Sequence, residues 1–153
     1  MVIRGFDHIT IVVSDLERSV TFYAGLLGFR ETGRAHLEGK WIDAILRMEG
    51  VEAEVVYLVP PDKEPRLELL CFRSPKGEPI PQNALPNAIG LRHVAFQVDD
   101  MASLVRRLKE AHVPLLSDPV ALPGDVESGA SKQKTLCYFF DPDGVLLEAA
   151  QYQ

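Results

Sequence analysis

The sequence predicts an α+β protein built from two tandem copies of one module. The stretch FDHITIVVSDL at residues 6–16 returns as LRHVAFQVDDM at residues 91–101, which places His8 and His93 at the same position of each copy. The ends of the copies also match, because RLELLCF and LLEAAQY hold Glu68 and Glu148 in equivalent positions. We therefore predict one domain over residues 1–153, with modules at about 1–73 and 91–153 joined by a linker at about 74–90.

Composition and charge favour a small-molecule or protein partner. The chain has 46% hydrophobic and 25% charged residues, which is ordinary for a soluble globular protein. Its formal net charge is −6, and its 16 basic residues are scattered, whereas nucleic acids and anionic membranes require clustered Lys and Arg. No apolar run approaches the roughly 18 residues of a transmembrane helix, and the first residues lack a signal-peptide pattern. We expect a cytoplasmic protein in which Cys71 and Cys137 are reduced core residues.

Residue periodicity in the first module predicts a strand followed by a helix. Alternation over residues 6–13 is typical of a strand. The Ser14-x-x-Glu17 pattern predicts a capping box, and apolar residues at helical spacing predict a helix over about 15–27 that ends at Gly28. Further strands are predicted at residues 29–35, 41–48, 54–59 and 67–72.

The second module repeats this pattern after an irregular connector. Residues 74–87 carry four prolines, which exclude regular structure. A helix capped by Asp100 follows the histidine-bearing strand. Residues 119–134 are polar and rich in turn formers, and they predict a mobile loop over a site. Strands are predicted at residues 91–98, 135–140 and 145–152, with a tight turn at residues 141–144.

Two histidines and two glutamates at duplicated positions indicate a metal site. If the copies pack about a pseudo-twofold axis, equivalent strands face each other and bring His8, Glu68, His93 and Glu148 together. Neutral imidazoles and carboxylates suit Zn, Ni, Co, Mn or Fe, whereas Ca prefers oxygen ligands and soft ions prefer Cys or Met. A single histidine on an apolar strand is more often a core residue, but two histidines and two glutamates at repeated positions favour one divalent ion.

These motifs resemble the vicinal oxygen chelate superfamily, which includes glyoxalase I, methylmalonyl-CoA epimerase, extradiol dioxygenases and the fosfomycin and bleomycin resistance proteins. The resemblance covers nearly the whole chain. It implies paired βαβββ modules that form a curved mixed sheet around a metal, usually in a homodimer, and it assigns the ligand role to His8, Glu68, His93 and Glu148. The matching motifs are Asp7-His8-Ile9, Asp15-Leu16, Phe22-Tyr23, Leu27-Gly28-Phe29, Leu67-Glu68-Leu69, Arg92-His93-Val94-Ala95-Phe96, Val98-Asp99-Asp100 and Asp141-Pro142-Asp143-Gly144-x3-Glu148.

The resemblance implies proton transfer beside a chelated carbonyl group. In this superfamily the metal binds neighbouring substrate oxygens and stabilises the negative charge that develops. The ligand set resembles that of glyoxalase I, in which a metal-bound glutamate moves a proton between adjacent carbons of a hemithioacetal. Glu148, with Glu68 opposite, is the expected base. Residues 113–119 are similar to methylmalonyl-CoA epimerase, whose second ligand is usually Gln, and in that case Glu54 is a possible second acid or base.

Two further alternatives stay open. An extradiol-type ring-cleaving dioxygenase would use His8, His93 and Glu148 as a facial triad, with Glu68 as a fourth ligand. A non-enzymatic small-molecule binding or resistance protein would keep the fold without the ligands, and the intact set argues against it. The sequence does not identify the substrate-binding residues. Aromatic and basic residues near the expected mouth are candidates, although solvation is the commoner role of such charges: Trp41, Arg47, Arg73 and Lys76.

Overall fold

The computed structural model describes residues 3–61, 64–81, 86–123 and 133–153. The chain divides into two units, Met1–Pro79 and Ile80–Gln153, called unit one and unit two below. Each holds one four-stranded mixed sheet, and in both the spatial order of the strands is first, fourth, third, second. The predicted α+β class with two tandem βαβββ modules is therefore confirmed. In the described part of the chain, no helix is long and apolar enough to cross a membrane.

Unit one follows the order strand, helix, then three strands, with a short helix inserted between the second and third strands. In its sheet, β1 runs parallel to β4, whereas the β2–β3 and β3–β4 pairs are antiparallel. The elements in chain order are β1 (His8–Val12), α1 (Leu16–Val20, continuing as a π-helical segment Thr21–Leu26), β2 (Arg30–Glu38), α2 (Lys40–Leu46), β3 (Glu52–Val59) and β4 (Arg66–Ser74).

The predicted first helix is present, but the predicted capping box is wrong. The cap is Asp15, whose extended backbone lets its carboxylate accept a hydrogen bond from the Arg18 backbone N–H at 3.0 Å. The Ser14 hydroxyl instead accepts from the Arg18 guanidinium, and Glu17 forms an ion pair with Arg34. Asp15, the residue after Ser14, is thus the N-cap of the helix instead of the predicted Ser14.

Residues 41–48 were predicted as a strand, and this prediction is wrong because they lie mostly in α2. Gly39, at φ +94°, turns the chain from β2 into the helix in a conformation that glycine adopts without steric cost. The Asp43 carboxylate accepts from the backbone N–H groups of Gly50 and Val51, which ties α2 to the start of β3. A short apolar run does not distinguish strand from helix, and here its members also fit helical spacing: Trp41, Ile42, Ile45 and Leu46.

Unit two repeats the topology of unit one. Asp100 caps its helix as predicted, because its carboxylate accepts from the Ser103 N–H at 2.8 Å. Part of the predicted 119–134 loop forms a short edge strand, whereas residues 124–132 of that loop and residues 82–85 of the predicted connector lie outside the described residues. The elements are β5 (His93–Gln97), α3 (Met101–Glu110), β6 (Val120–Ala121), β7 (Lys134–Phe140) and β8 (Leu146–Tyr152).

Each unit has its own apolar core, formed between its sheet and its helix. In unit one, α1 packs against β3 and β4, and residues on β4 alternate between buried and partly exposed, so that Glu68 lies on the more open face. In unit two, α3 packs against β8. Both cysteines are free and buried, as predicted. Core side chains that are almost fully buried include Tyr23, Leu58, Leu67 and Leu69 in unit one, and Leu108, Cys137, Phe139 and Leu147 in unit two.

Candidate functional site

Strand register places one histidine beside one glutamate in each unit. In unit one, Glu68 on β4 pairs with Thr10 on the parallel strand β1, and His8 lies two residues before Thr10 on the same face. In unit two, Glu148 on β8 pairs with Ala95 on the parallel strand β5, two residues after His93. In both units, therefore, the histidine lies two residues before the residue that pairs with the glutamate. We call His8 with Glu68 the first pair, and His93 with Glu148 the second pair.

The first pair is partly exposed and belongs to a polar network. The Nε2 atom of His8 lies 3.6 Å from Oε2 of Glu68, and the two side chains are 39% and 17% exposed. Thr10 donates a hydrogen bond to Glu68 at 3.4 Å, and Nη2 of Arg66 lies 3.7 Å from the other oxygen of this carboxylate. On its opposite side, the His8 ring places Nδ1 2.6 Å from Oδ2 of Asp7. This hydrogen bond is the main cause that lowers the pKa of Asp7, with the charge of Arg66 as a further cause.

The second pair is more deeply buried and has different partners. Nε2 of His93 lies 3.3 Å from Oε2 of Glu148, whose side chain is only 6% exposed. Nζ of Lys134 lies 3.6 Å from the other carboxylate oxygen. The Tyr138 hydroxyl donates to Glu148, and its pKa is raised to about 12, first by burial and then by this hydrogen bond and the carboxylate charge. The ring of Tyr138 also contacts that of His93 edge to face, with centroids 5.2 Å apart.

The donor spacing in each pair fits two ligands of one ion. Donors at zinc-type bond lengths of ~2.0–2.2 Å, in tetrahedral or octahedral geometry, lie roughly 3–3.5 Å apart. The observed 3.3 and 3.6 Å separations are close to this range and exceed the common N–H···O distance of about 2.9–3.0 Å. Among the described residues, no group of three or more His, Cys, Asp or Glu side chains is arranged to hold a metal. The structure thus shows one two-donor pair in each unit, and a joint four-ligand centre stays a prediction.

Sequence reasoning missed the tyrosine that lies beside each glutamate. Tyr57 on β3 pairs with Glu68, and Tyr138 on β7 pairs with Glu148. A signal was present in the sequence, since the tyrosines are 81 residues apart and the glutamates are 80 residues apart. Each tyrosine thus occupies the same place in the repeated module, directly across from the candidate ligand.

The sequence analysis also did not predict the positively charged side chain near each glutamate. The repeat could not reveal these two cations, because they do not occupy equivalent positions of the modules. Arg66 lies on β4, with its guanidinium carbon 5.8 Å from the centre of the Tyr57 ring. Lys134 lies at the start of β7, with its ammonium 5.5 Å from the centre of the Tyr152 ring. The two cations come from non-equivalent strands, so that only the folded register reveals their shared position beside a carboxylate.

The other candidate residues lie outside the two pairs. Glu54 pairs with Cys71 in the β3–β4 register, on the opposite face from Glu68, and Arg73 donates two hydrogen bonds to it at 3.0 and 2.5 Å. This placement removes Glu54 from the neighbourhood of the first pair, and Arg73 serves as its ion-pair partner. The remaining three candidates are exposed: Trp41 on α2, Arg47 directly after it, and Lys76 after β4.

Two similar proteins cover nearly the whole length of the chain. The uncharacterized protein YwkD of Bacillus subtilis (strain 168) is 29% identical over 154 residues, with 97% of each chain covered. The uncharacterized protein YaeR of Escherichia coli (strain K12) is 30% identical over 149 residues, with 95% of each covered. These two relatives share sequence with both units.

Solved structures share the fold of this chain, and a family model identifies its superfamily. A glyoxalase family protein from Bacillus cereus is 27% identical, with a TM-score of 0.84 and coverage of 99% of this chain and 96% of that chain. The trypanothione-dependent glyoxalase I of Leishmania major shares the fold, with 23% identity, a TM-score of 0.63 and coverage of 97% and 86%. The family model matches residues 5–149, which include both His–Glu pairs. The chain therefore belongs to the Glyoxalase/Bleomycin resistance protein/Dioxygenase superfamily.

Proposed function

We propose that this protein is a metal-dependent enzyme that transfers a proton next to a chelated carbonyl group, in the manner of glyoxalase I. The observation that carries the proposal is the repeated pair: each unit offers an imidazole nitrogen and a carboxylate oxygen 3.3–3.6 Å apart, in the same strand register. The proposed ligands of one divalent ion (Zn, Ni, Co, Mn or Fe) are His8, Glu68, His93 and Glu148.

The donor types support proton transfer more than oxygen chemistry. A facial triad of two histidines and one carboxylate leaves positions open for oxygen, whereas this set carries a second carboxylate. When bound, the ion would polarise the substrate carbonyl as a Lewis acid. Glu148 and Glu68 are the two candidate bases, and the one that acts takes the proton from one substrate carbon and returns it to the adjacent carbon.

The two glutamates differ in ways that experiments can use. Glu148 is buried, and its oxygens face His93 and Lys134. Glu68 is more exposed, and its contacts to Thr10 and Arg66 are longer. We expect Glu148→Gln and Glu68→Gln each to weaken metal binding. Replacement of the acting base should also abolish deuterium exchange at metal saturation, which separates proton transfer from ligation.

Metal content tests the ligand set. We expect about one divalent ion per chain, largely lost in His8→Ala, because apolar strand neighbours cannot replace an imidazole ligand. His36→Ala is the matched control, since His36 also lies 3.5 Å from a carboxylate, that of Glu38, but outside the repeated pairs. Elemental analysis of the purified variants gives the result. Full occupancy in the His8→Ala, His93→Ala double variant would exclude the proposed centre.

The reaction is tested in deuterated water without oxygen. The metal-loaded protein is incubated with the methylglyoxal–glutathione hemithioacetal, with methylmalonyl-CoA and with a panel of catechols. Product or carbon-bound deuterium from the first substrate supports the proposal, and from the second it supports an epimerase. Turnover of catechols alone, and only after addition of oxygen and Fe(II), would identify a ring-cleaving dioxygenase instead.

We also propose that the protein acts on a small molecule as a homodimer. The superfamily resemblance supports the dimer, and the net charge of −6 argues against a nucleic-acid partner. Sedimentation velocity measures the assembly. A strictly monomeric species at high micromolar concentration would contradict the dimer.

A further inference from the structure

We propose that Asp7 and Arg66 are positioning residues that fix the tautomer of the His8 imidazole. The inference rests on the proposed function, because it concerns how His8 becomes a metal ligand. It concerns two residues that are not among the proposed ligands and that act on the ring of His8.

The contact between Asp7 and His8 determines which ring nitrogen carries the proton. Nδ1 of His8 lies 2.6 Å from Oδ2 of Asp7, and an ionised carboxylate can only accept a hydrogen bond. A neutral imidazole has one N–H and one lone pair, so a proton on Nδ1 leaves the lone pair on Nε2. Nε2 is the atom that faces Glu68, at 3.6 Å. Asp7 thus presents the unprotonated nitrogen toward the carboxylate of the first pair.

The position of Glu68 agrees with this tautomer. A charge-assisted hydrogen bond from Nε2 to a carboxylate would be about 2.7–2.9 Å long, whereas the separation is 3.6 Å. In the neutral tautomer fixed by Asp7, the Nε2 lone pair and the Glu68 oxygen are both acceptors. Two acceptors that face each other are stabilised by a cation bound to both, which is the arrangement that a metal ligand pair requires.

Arg66 restrains the carboxylate that orients the ring. The Asp7 side chain is 79% exposed, so without a second contact it would be free to rotate. Nη2 of Arg66 donates to the same Oδ2 atom at 3.0 Å, and the β1–β4 register pairs Arg66 with His8. The guanidinium is itself held over the Tyr57 ring. The order of contacts is therefore Arg66 to Asp7 to His8.

Unit two provides an internal comparison. The repeat places Arg92 where unit one has Asp7, and Leu146 occupies the register position of Arg66. The His93 ring instead packs edge to face on Tyr138. Replacement of Asp7 should therefore change the tautomer of His8 and leave that of His93 unchanged.

The test is long-range ¹H–¹⁵N correlation spectroscopy of ¹⁵N-labelled, chelator-treated protein at about pH 8.5, where an ordinary imidazole is neutral. The sequence has four histidines, which are assigned by single His→Gln variants. We expect an Nδ1-protonated pattern for His8 in the parent protein and a shift toward Nε2 protonation in Asp7→Ala. Asp7→Asn keeps an acceptor oxygen and should retain part of the parent pattern. Arg66→Met should give an intermediate spectrum.

Asp118→Ala is the matched control. Asp118 is also an exposed aspartate in an ion pair, with Lys109 at 3.4 Å, and it should leave all four histidine patterns unchanged. Unchanged His93 and His36 signals in Asp7→Ala will show that the variant is folded. An Nε2-protonated His8 in the parent protein, or an unchanged His8 in Asp7→Ala, overturns the inference.

Zinc affinity separates this inference from the proposed function. With Zn²⁺ in competition against a chromophoric chelator, Asp7→Ala should bind about 10–100-fold more weakly, and Asp118→Ala should match the parent. If the tautomer shifts but the parent binds no Zn²⁺, the positioning role stands and the proposed metal centre fails. If Zn²⁺ binds with equal affinity to the parent and to Asp7→Ala, and the tautomer does not change, the positioning role fails while the metal centre stands.

Discussion

Removal of the Tyr138 hydroxyl should destabilise the metal-free protein by about 1.5–3 kcal/mol at neutral pH, the usual contribution of a hydrogen bond to a charged group. The hydroxyl donates to Glu148, which is 5% exposed and cannot replace this bond fully with water. Phenylalanine keeps the ring and its contact with His93. The substitution Tyr138→Phe therefore isolates one hydrogen bond to a buried carboxylate.

The raised pKa of Tyr138 adds a pH dependence with a defined sign. Its pKa is about 12 in the folded protein, against an ordinary 10.0. The unfolded chain therefore loses this proton first as the pH rises, and the free energy of unfolding falls between about pH 10 and 12. Two pKa units correspond to roughly 2.7 kcal/mol, fully present below about pH 10 and lost above about pH 12. The Tyr138→Phe variant should lack this decline.

Urea unfolding followed by circular dichroism, in the presence of a chelator, measures both effects. Tyr57→Phe is the matched control, because Tyr57 occupies the equivalent register position and contacts Arg66 through its ring, which phenylalanine retains. Its cost should be within about 0.5 kcal/mol. Equal costs for the two variants, or a parallel decline of Tyr138→Phe and the parent above pH 10, would refute the hydrogen bond to Glu148.

Three further predictions concern the fold. Burial raises the pKa of the Cys71 and Cys137 thiols, so mass spectrometry should show much slower alkylation at pH 8 in the native protein than in urea. Ile42→Ala should cost about 2–5 kcal/mol and Ile45→Ala less than about 0.5 kcal/mol, since Ile42 is 7% and Ile45 is 69% exposed; equal costs would argue against α2. Asp100→Ala should lower the free energy of unfolding by about 0.5–2 kcal/mol through loss of the α3 cap, measured from the urea midpoint.

The sequence was sufficient to predict the repeat and to single out His8, Glu68, His93 and Glu148, because the same residue types recur at equivalent positions of the two modules. The arrangement of these residues as one histidine beside one glutamate in each unit came only from the strand registers of the structure. Local periodicity failed at residues 41–48, where apolar spacing fits a strand and a helix alike. There the conformation of Gly39 and the hydrogen bonds to Asp43 select the helix, and neither is visible in periodicity.

The partners of the pairs could not be predicted because they depend on register between distant strands. Asp7 and Arg66 are 59 residues apart and meet only because β1 lies parallel to β4. Lys134 pairs with Tyr152 in the β7–β8 register, four positions along β7 from Tyr138, which pairs with Glu148, yet its ammonium lies 3.6 Å from the Glu148 carboxylate. Sequence patterns fix which face a side chain occupies, whereas contacts across strands require the pairing itself.

The cation beside each glutamate bears on whether the fold would need the proposed metal. Each carboxylate has a positive side chain 3.6–3.7 Å away, Arg66 for Glu68 and Lys134 for Glu148. A buried carboxylate is costly unless it is paired and hydrogen-bonded, and Lys134 together with Tyr138 meets this requirement for Glu148 without an ion. Each unit also has an apolar core of its own, unlike small domains whose folding energy comes from a structural metal. Chelation should therefore leave the protein folded. Arg66 faces the carboxylates of both Asp7 and Glu68, and Lys134 faces that of Glu148, so the carboxylates outnumber the cations by one. A divalent ion bound at the proposed site would still leave a net positive charge, which favours an anionic oxygen ligand from the substrate.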